Sequence, residues 1–104
     1  MDAEFGFRIT NRSPEQITLK RIDLASAGTS GAYLIRREDR AFTADIPSES
    51  YGDIRMKARV FFQNRADGTP SSEPVTIRAV LYFDSATGPF REIVIKNLGQ
   101  FRSP

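Results

Sequence analysis

The sequence contains no cysteine, no histidine and no tryptophan, and these absences exclude several familiar kinds of site. Without cysteine there are no disulfides, thiol nucleophiles or zinc–thiolate centres. Without histidine the chain lacks the usual general base and a common metal ligand, so triads of the Ser-His-Asp and Cys-His types cannot form. We therefore expect a protein that is not an enzyme and that binds no metal and no cofactor.

Long apolar runs and a strong net charge are also missing. No stretch approaches the roughly 18 apolar residues of a membrane helix, so no membrane insertion is expected. The opening residues, MDAEFGFRIT, lack the basic and apolar regions of a signal peptide. The net charge is only +2, and the pI of about 9.3 is high because little titrates near neutral pH. A nucleic-acid partner is therefore not favoured.

Alternation of apolar and polar residues is the dominant pattern of the chain. A period of two predicts β-strands that bury one face. The clearest case is the stretch DIRMKARVFF, whose inward face is predicted to be Ile54, Met56, Ala58, Val60 and Phe62. In residues 17–24 the apolar phase changes between Leu19 and Ile22, which predicts a β-bulge near Lys20–Arg21.

About seven short strands of this kind are expected, separated by turn signals such as NRSPEQ and PSESYG. No segment has a helical period. This pattern predicts an all-β fold with two packed antiparallel sheets. We expect a single domain over residues 4–97 and a C-terminal tail over residues 98–104.

Three stretches resemble bacterial immunoglobulin-like (fibronectin-like) domains over most of residues 4–96. The stretch FGFRITNRSPEQITLKRIDL resembles their opening strand pair, FTADIPSESYGDIRMKARVFF their middle section, and PVTIRAVLYFDSATGPFREIVI their closing hairpin. The resemblance implies an immunoglobulin-like sandwich that acts as a non-catalytic interaction or spacer module of a larger bacterial protein. The expected partner is another protein or a second copy. The compartment is unknown, and a periplasmic or extracellular one is favoured if the chain is an excised domain.

An apolar surface is predicted on the strand PVTIRAVLYF and the strand that follows it. Arg78, Val80 and Tyr82 have the outward parity, while Ile93 and Ile95 alternate with Phe90 and Val94 on the next strand. Apolar groups therefore remain outside whichever of these sets faces inward, which predicts an interface. Its predicted residues, the apolar patch, are Arg78, Val80, Tyr82 and Val94. The alternative is that the FRSP tail covers this region, with Phe101 as a plug.

A second surface is cationic. Arg55, Lys57 and Arg59 alternate along the predicted outward face of one strand, and we call them the basic stripe. Neighbouring strands are expected to add Arg8 and Lys20. Such a stripe could steer an acidic protein, glycan or lipid surface towards the strand. The alternative is that these charges only keep the strand solvated and unaggregated.

The stretch YLIRREDRAF raises the question of an anion site. Its arginine cluster consists of Arg36, Arg37 and Arg40. Arginine binds phosphate well, but Glu38 and Asp39 lie between these residues and offset most of their charge. The favoured interpretation is a charged hairpin turn between two short strands.

An alternative keeps the arginine cluster as a binding site. The spacing Arg36-x-x-x-Arg40 is similar to the Arg-x-x-x-Arg half of the cyclic di-GMP site in PilZ barrels. This resemblance implies a β-barrel that binds a cyclic dinucleotide through Arg36, Arg37 and Arg40. The sequence departs from the PilZ pattern after Asp23, where Ala25 occupies the position of the expected serine.

Overall fold

The computed structural model describes residues 2–27, 33–62 and 75–98. These residues form seven strands: β1 (Asp2–Asn11), β2 (Ile17–Ser26), β3 (Tyr33–Ile35), β4 (Glu38–Ile46), β5 (Ser50–Phe62), β6 (Val75–Ser85) and β7 (Gly88–Leu98). Nowhere in the described ranges is there a helix that could cross a bilayer. Residues 99–104, which make up most of the predicted tail and include the proposed plug Phe101, lie outside the described residues.

The strands form two antiparallel sheets, one with the order β1-β5-β3 and the other with the order β4-β2-β6-β7. The predicted all-β, two-sheet sandwich is confirmed. The pairing differs from the constant-type immunoglobulin order, in which the second strand pairs with the first and the fifth. Here β2 pairs with β4 and β6, while β5 pairs with β1 and β3.

Strand β2 lies inside its sheet and contains the predicted bulge. Leu19 pairs with Phe83 and Arg21 pairs with Tyr82, so that Lys20 is the extra residue. The insertion returns the apolar residues after Lys20 to the face of those before it. All four apolar positions of this face, Ile17, Leu19, Ile22 and Leu24, are buried.

The core lies between the inner faces of the two sheets. Leu24 is fully buried on one side, and Met56 and Val60 are buried on the other. The inward set predicted for β5 is correct except at its last residue. Phe62 is 59% exposed, and its ring packs edge-on against Tyr33 with 6.2 Å between the centroids. Phe62 thus has the inward parity of β5 but lies beyond the part of the strand whose inward side chains are buried.

One end of the sandwich is tied together by polar contacts around Asn11. Its side-chain amide is buried and donates to the carbonyl oxygens of Glu15, Ile46 and Pro47 at 2.8–3.1 Å. Its side-chain oxygen accepts hydrogen bonds from the backbone N–H and the hydroxyl of Ser13. The β1–β2 turn is thereby fixed to the β4–β5 turn, and these turns connect the two sheets.

Strands β6 and β7 form a hairpin through the two residues between Ser85 and Gly88. Gly88 has a φ of 121°, a backbone conformation that residues with a side chain rarely adopt. The Ser85 hydroxyl donates to the carbonyl oxygen of Gly88 at 2.8 Å. Among the described strands, these are the only two that are neighbours both in sequence and within a sheet.

Candidate functional site

Strand β7 is an edge strand with unusual exposure of apolar side chains. Within the described part of the chain it pairs with β6 alone, so its other edge presents backbone N–H and C=O groups without a strand partner. All residues from Arg91 to Asn97 are exposed. The large apolar side chains that it exposes are Phe90 (39%), Ile93 (47%), Val94 (41%) and Ile95 (65%).

The exposed apolar side chains of β7 lie on both faces of the sheet. Val94 pairs with Ala79, which belongs to the buried core, so Val94 has the parity of the inner face. Ile93 and Ile95 have the opposite parity and lie on the outer face. The opposing sheet has only three described strands and makes few contacts with β7. The inner face of β7 is therefore exposed as well as the outer one.

A groove runs between β7 and β1, which is one of the two edge strands of the other sheet as described. It consists of two hollows of about 730 and 520 Å³ that adjoin at Ile9. The first is lined by Phe90, whose ring stacks on Phe83 with 4.9 Å between the centroids. The second is lined by the consecutive residues 3–9 of β1 and by Val94 of β7. This side of the sandwich is open and largely apolar.

The apolar patch predicted from the sequence is not one surface. Val80, predicted to be exposed, is buried at 8% exposure because it lies between Asp23 on β2 and Ile93 on β7. The Tyr82 ring is half-buried, with the Arg21 guanidinium stacked over it at 4.1 Å.

The two remaining residues of that patch lie on opposite faces. Arg78 is exposed on the outer face, whereas Val94 is exposed on the inner face. The predicted apolar patch therefore omitted Ile93 and Ile95. These residues flank Val94 and are exposed on the outer face together with Arg78. The signal that could have identified them is the run of three β-branched residues, Ile-Val-Ile, because it supplies apolar side chains to both faces of a strand.

The basic stripe is matched by acidic residues on β1. Arg55 lies 3.3 Å from Glu4, and Arg59 lies 3.7 Å from Asp2. Lys57 pairs in register with Glu4. The outer face of the three-stranded sheet is thus a ladder in which cations of β5 face carboxylates of β1, and opposite charges on facing strands stabilise the register.

The neighbours expected for the basic stripe are only partly correct. Arg8 does lie on the adjacent strand β1, but its guanidinium donates two hydrogen bonds to Asp53, at 2.9 and 3.1 Å. These hydrogen bonds lower the pKa of the Asp53 carboxyl group. Lys20 lies on β2 in the other sheet, so the prediction that it extends the stripe is wrong.

The arginine cluster lies where the chain passes from one sheet to the other. Arg36 and Arg37 connect β3, which pairs with β5, to β4, which pairs with β2. The predicted hairpin is therefore wrong: only Arg36 and Arg37 lie in the connection, and Arg40 lies in β4. Arg37 donates two hydrogen bonds to Asp23, at 3.0 and 2.8 Å, and these lower the pKa of the Asp23 carboxyl group. Arg40 lies 3.4 Å from Glu38.

The arginine cluster and part of the basic stripe share one surface. The backbone N–H of Arg36 donates to the carbonyl oxygen of Arg59 at 2.9 Å, which holds the connection against β5. A shallow hollow of about 710 Å³ is lined by Arg36, Arg37, Arg40, Lys57 and Arg59 together with Asp2, Glu38 and Asp39. We call this the mixed-charge hollow. Its carboxylates leave only a small positive excess.

The described residues contain no group of three or more acidic side chains placed to hold a metal ion. No protein-family model matches the chain, and a search of the curated proteins finds no match to it either.

Proposed function

We propose that the protein is a non-catalytic interaction module that binds another polypeptide along β7. One observation supports this function above all: an edge strand of eleven residues exposes large apolar side chains on both of its faces. Exposed apolar edge strands tend to pair with other chains, and natural proteins usually blunt them with charges, proline or bulges. Strand β7 does contain Pro89 and charged residues, but these flank the apolar run Ile93–Ile95 and do not interrupt it.

Binding would proceed by addition of a strand to the sheet. An extended segment of the partner would form backbone hydrogen bonds with the free edge of β7. Its alternate side chains would pack on Ile93 and Ile95 at the outer face and on Val94 at the inner face. The backbone contacts would supply general affinity, and the apolar contacts on the two faces would supply selectivity.

We further propose that the module belongs to a larger bacterial envelope or secreted protein and is related in architecture to immunoglobulin-like domains. The two-sheet antiparallel sandwich is compatible with this relationship, because sandwich domains of this class do not always share one strand order. A role as a spacer between other domains would use the same scaffold without a binding edge.

A binding comparison between the two edges of the four-stranded sheet tests this function. The wild type, Ile95→Glu on β7 and Thr43→Glu on the opposite edge strand β4 would serve as baits; both positions are exposed. We expect a bound protein to be retained by the wild type and Thr43→Glu and lost with Ile95→Glu. Equal retention by all three baits would contradict binding at β7, and the absence of both a bound protein and self-association would favour the spacer role.

A second candidate function is anion binding at the mixed-charge hollow. The observation that favours it is the convergence of Arg36, Arg40 and Lys57 from two separate segments of the chain. Three carboxylates in the same hollow, and the pairing of Arg37 with Asp23, weaken its attraction for an anion. Calorimetric titration with cyclic di-GMP would show binding heat that Arg36→Gln abolishes. No heat at high micromolar ligand would remove this candidate.

A further inference from the structure

The exposed part of β7 reads nearly the same in both directions from Val94. Ile93 and Ile95 lie one position away on either side, and Glu92 and Lys96 lie two positions away with opposite charges. Two copies of such a strand can pair antiparallel so that isoleucine faces isoleucine. The charged residues at the two ends of this segment have opposite signs, so each faces a residue of the opposite charge in the second copy.

The symmetry of a dimer restricts the possible registers. A two-fold axis perpendicular to the sheet joins two antiparallel copies of β7 and keeps their inner faces on the same side. The axis then passes through a residue pair, and each candidate register is centred on one residue. Centring on Val94 places Ile93 opposite Ile95 of the second copy and Glu92 opposite Lys96. Apolar side chains then face apolar side chains, and each carboxylate faces an ammonium group.

The two adjacent symmetric registers give less favourable cross-strand pairs. Centring on Ile93 places Glu92 opposite Val94, whereas centring on Ile95 places Val94 opposite Lys96. Both put a charge against an apolar side chain. Cross-strand pairs of opposite charge stabilise a sheet, as do pairs of β-branched residues, so the register centred on Val94 is favoured.

The charged residues of β7 are available for such pairing. Neither Glu92 nor Lys96 forms an ion pair within the described part of the chain, and both are exposed. This contrasts with the ladder on the three-stranded sheet, where Arg55 and Arg59 each have an acidic partner in the same molecule. The matching partner for the charges of β7 is a second β7.

We propose that the polypeptide bound along β7 is a second copy of this chain, paired antiparallel through β7 and centred on Val94. The proposal rests on β7 being the interaction edge, as argued above, and adds the identity of the partner. The dimer contains one continuous eight-stranded sheet with the order β4-β2-β6-β7-β7-β6-β2-β4. It removes the free edge of β7 and covers Ile93 and Ile95 of one copy with Ile95 and Ile93 of the other.

A charge exchange tests the register. Sedimentation over a range of protein concentrations would measure the dimer dissociation constant of the wild type, Glu92→Lys, Lys96→Glu and the double variant. Each single variant places two like-charged pairs across the axis, so its dissociation constant should rise by about tenfold. The double variant restores both pairs with the charges reversed and should return close to the wild-type value. An equimolar mixture of the two single variants should form a heterodimer.

A cysteine test gives the position of the axis independently. Because the natural chain has no cysteine, Val94→Cys introduces a single thiol, and the two copies would be oxidised to a covalent dimer across the axis. In the same register the Arg91→Cys thiols lie about 20 Å apart along the strands, so this control should remain uncrosslinked. Circular dichroism and thermal unfolding of every variant would show whether it is folded.

The outcomes separate this inference from the broader function. A wild type that stays monomeric at all concentrations overturns the homodimer. If that monomer still captures a different protein that Ile95→Glu loses, the interaction function stands and only the identity of the partner is wrong. A dimer that resists both single variants, or that the double variant does not restore, also overturns the register centred on Val94.

Discussion

Strands β2 and β7 belong to the same sheet and have similar contents of branched aliphatic residues, yet they differ completely in burial. Leu19, Ile22 and Leu24 of β2 have no exposed surface, whereas Ile95 of β7 is 65% exposed. Strand β2 has a neighbour on each side and the opposing sheet above it. Strand β7 has one neighbour among the described strands and little above it.

The difference shows that the apolar content of a segment favours strand formation, whereas the position of the strand in the sheet determines how exposed its side chains are. Apolar residues on both faces are typical of strands that are covered on both faces. Strand β7 thus has the composition of an interior strand in an edge position. The simplest way to resolve this conflict is a further strand beside β7.

The largest expected difference between β2 and β7 is in the unfolding free energy that is lost when an aliphatic side chain is truncated. We expect Leu24→Ala to lower the free energy of unfolding by about 2–5 kcal/mol, because it removes fully buried methyl groups and leaves a cavity. The matched variant on β7, Ile95→Ala, should change it by less than about 0.5 kcal/mol when measured on the monomer. Urea denaturation at low protein concentration would measure both. A loss at Ile95 as large as that at Leu24 would contradict the exposed position of β7.

A buried asparagine, Asn11, should likewise contribute more to stability than an exposed one, Asn97. Asn11 is 3% exposed, and its side chain bonds to three carbonyl oxygens and to Ser13. Asn11→Ala should therefore cost about 1–3 kcal/mol of unfolding free energy, since it leaves buried groups unpaired. Asn97 on β7 is exposed and accepts one hydrogen bond, from the Thr76 hydroxyl.

The matched variant Asn97→Ala should cost less than Asn11→Ala in the same denaturation experiment, because water can replace the lost partner. Equal losses would mean that the Asn11 contacts do not hold the turns together. A further variant sharpens the comparison: Asn11→Asp should be less stable at neutral pH than Asn11→Ser, since it directs a negative charge at carbonyl oxygens.

The smallest effect concerns pH. Hydrogen bonds from Arg37 lower the pKa of Asp23 on β2 below its ordinary value of 3.8. A lowered pKa in the folded state stabilises the fold above the ordinary value, and this stabilisation is lost as the pH falls towards the lowered value. Asp23→Asn should therefore be less stable than the wild type near pH 7, and this difference should shrink below about pH 4.

Glu92→Gln on β7 is the matched control for this pH experiment. Because Glu92 has no ion pair within the described ranges, this variant of the monomer should be as stable as the wild type near pH 7. Thermal unfolding between pH 2.5 and 7 would measure all three proteins. A wild type and an Asp23→Asn variant with parallel pH profiles would show that the Arg37 contact adds no stability.

The local features of the fold could be predicted from the sequence because they depend on side-chain parity. The alternation of β5 and the phase change around Lys20 both follow from the period of two. A parity argument requires no knowledge of which strand lies next to which. It therefore identified strands and the bulge, whereas the two-sheet architecture was predicted from the number of short strands and the turn signals between them.

The candidate site depends on strand neighbours, and these could not be read from parity. Val80 is buried because Asp23 and Ile93 flank it, and the latter two residues are far from each other in sequence. The charges of Arg55 and Arg59 are matched by β1, which lies more than forty residues earlier. The connection at Arg36 resembles a tight turn in sequence but passes between sheets.

The hairpin of β6 and β7 has a consequence for the order in which the chain folds. It is closed by a two-residue turn, whereas β1 must find β5 by pairing Asn11 with Ser50 and Asp2 with Arg59. Short loops close in less time than long ones, and pairings between distant segments make folding slow. We therefore expect the hairpin to form early, when its apolar residues still lack the opposing sheet. Self-association through β7 would then compete with refolding, so the yield of refolded monomer should fall as the protein concentration rises.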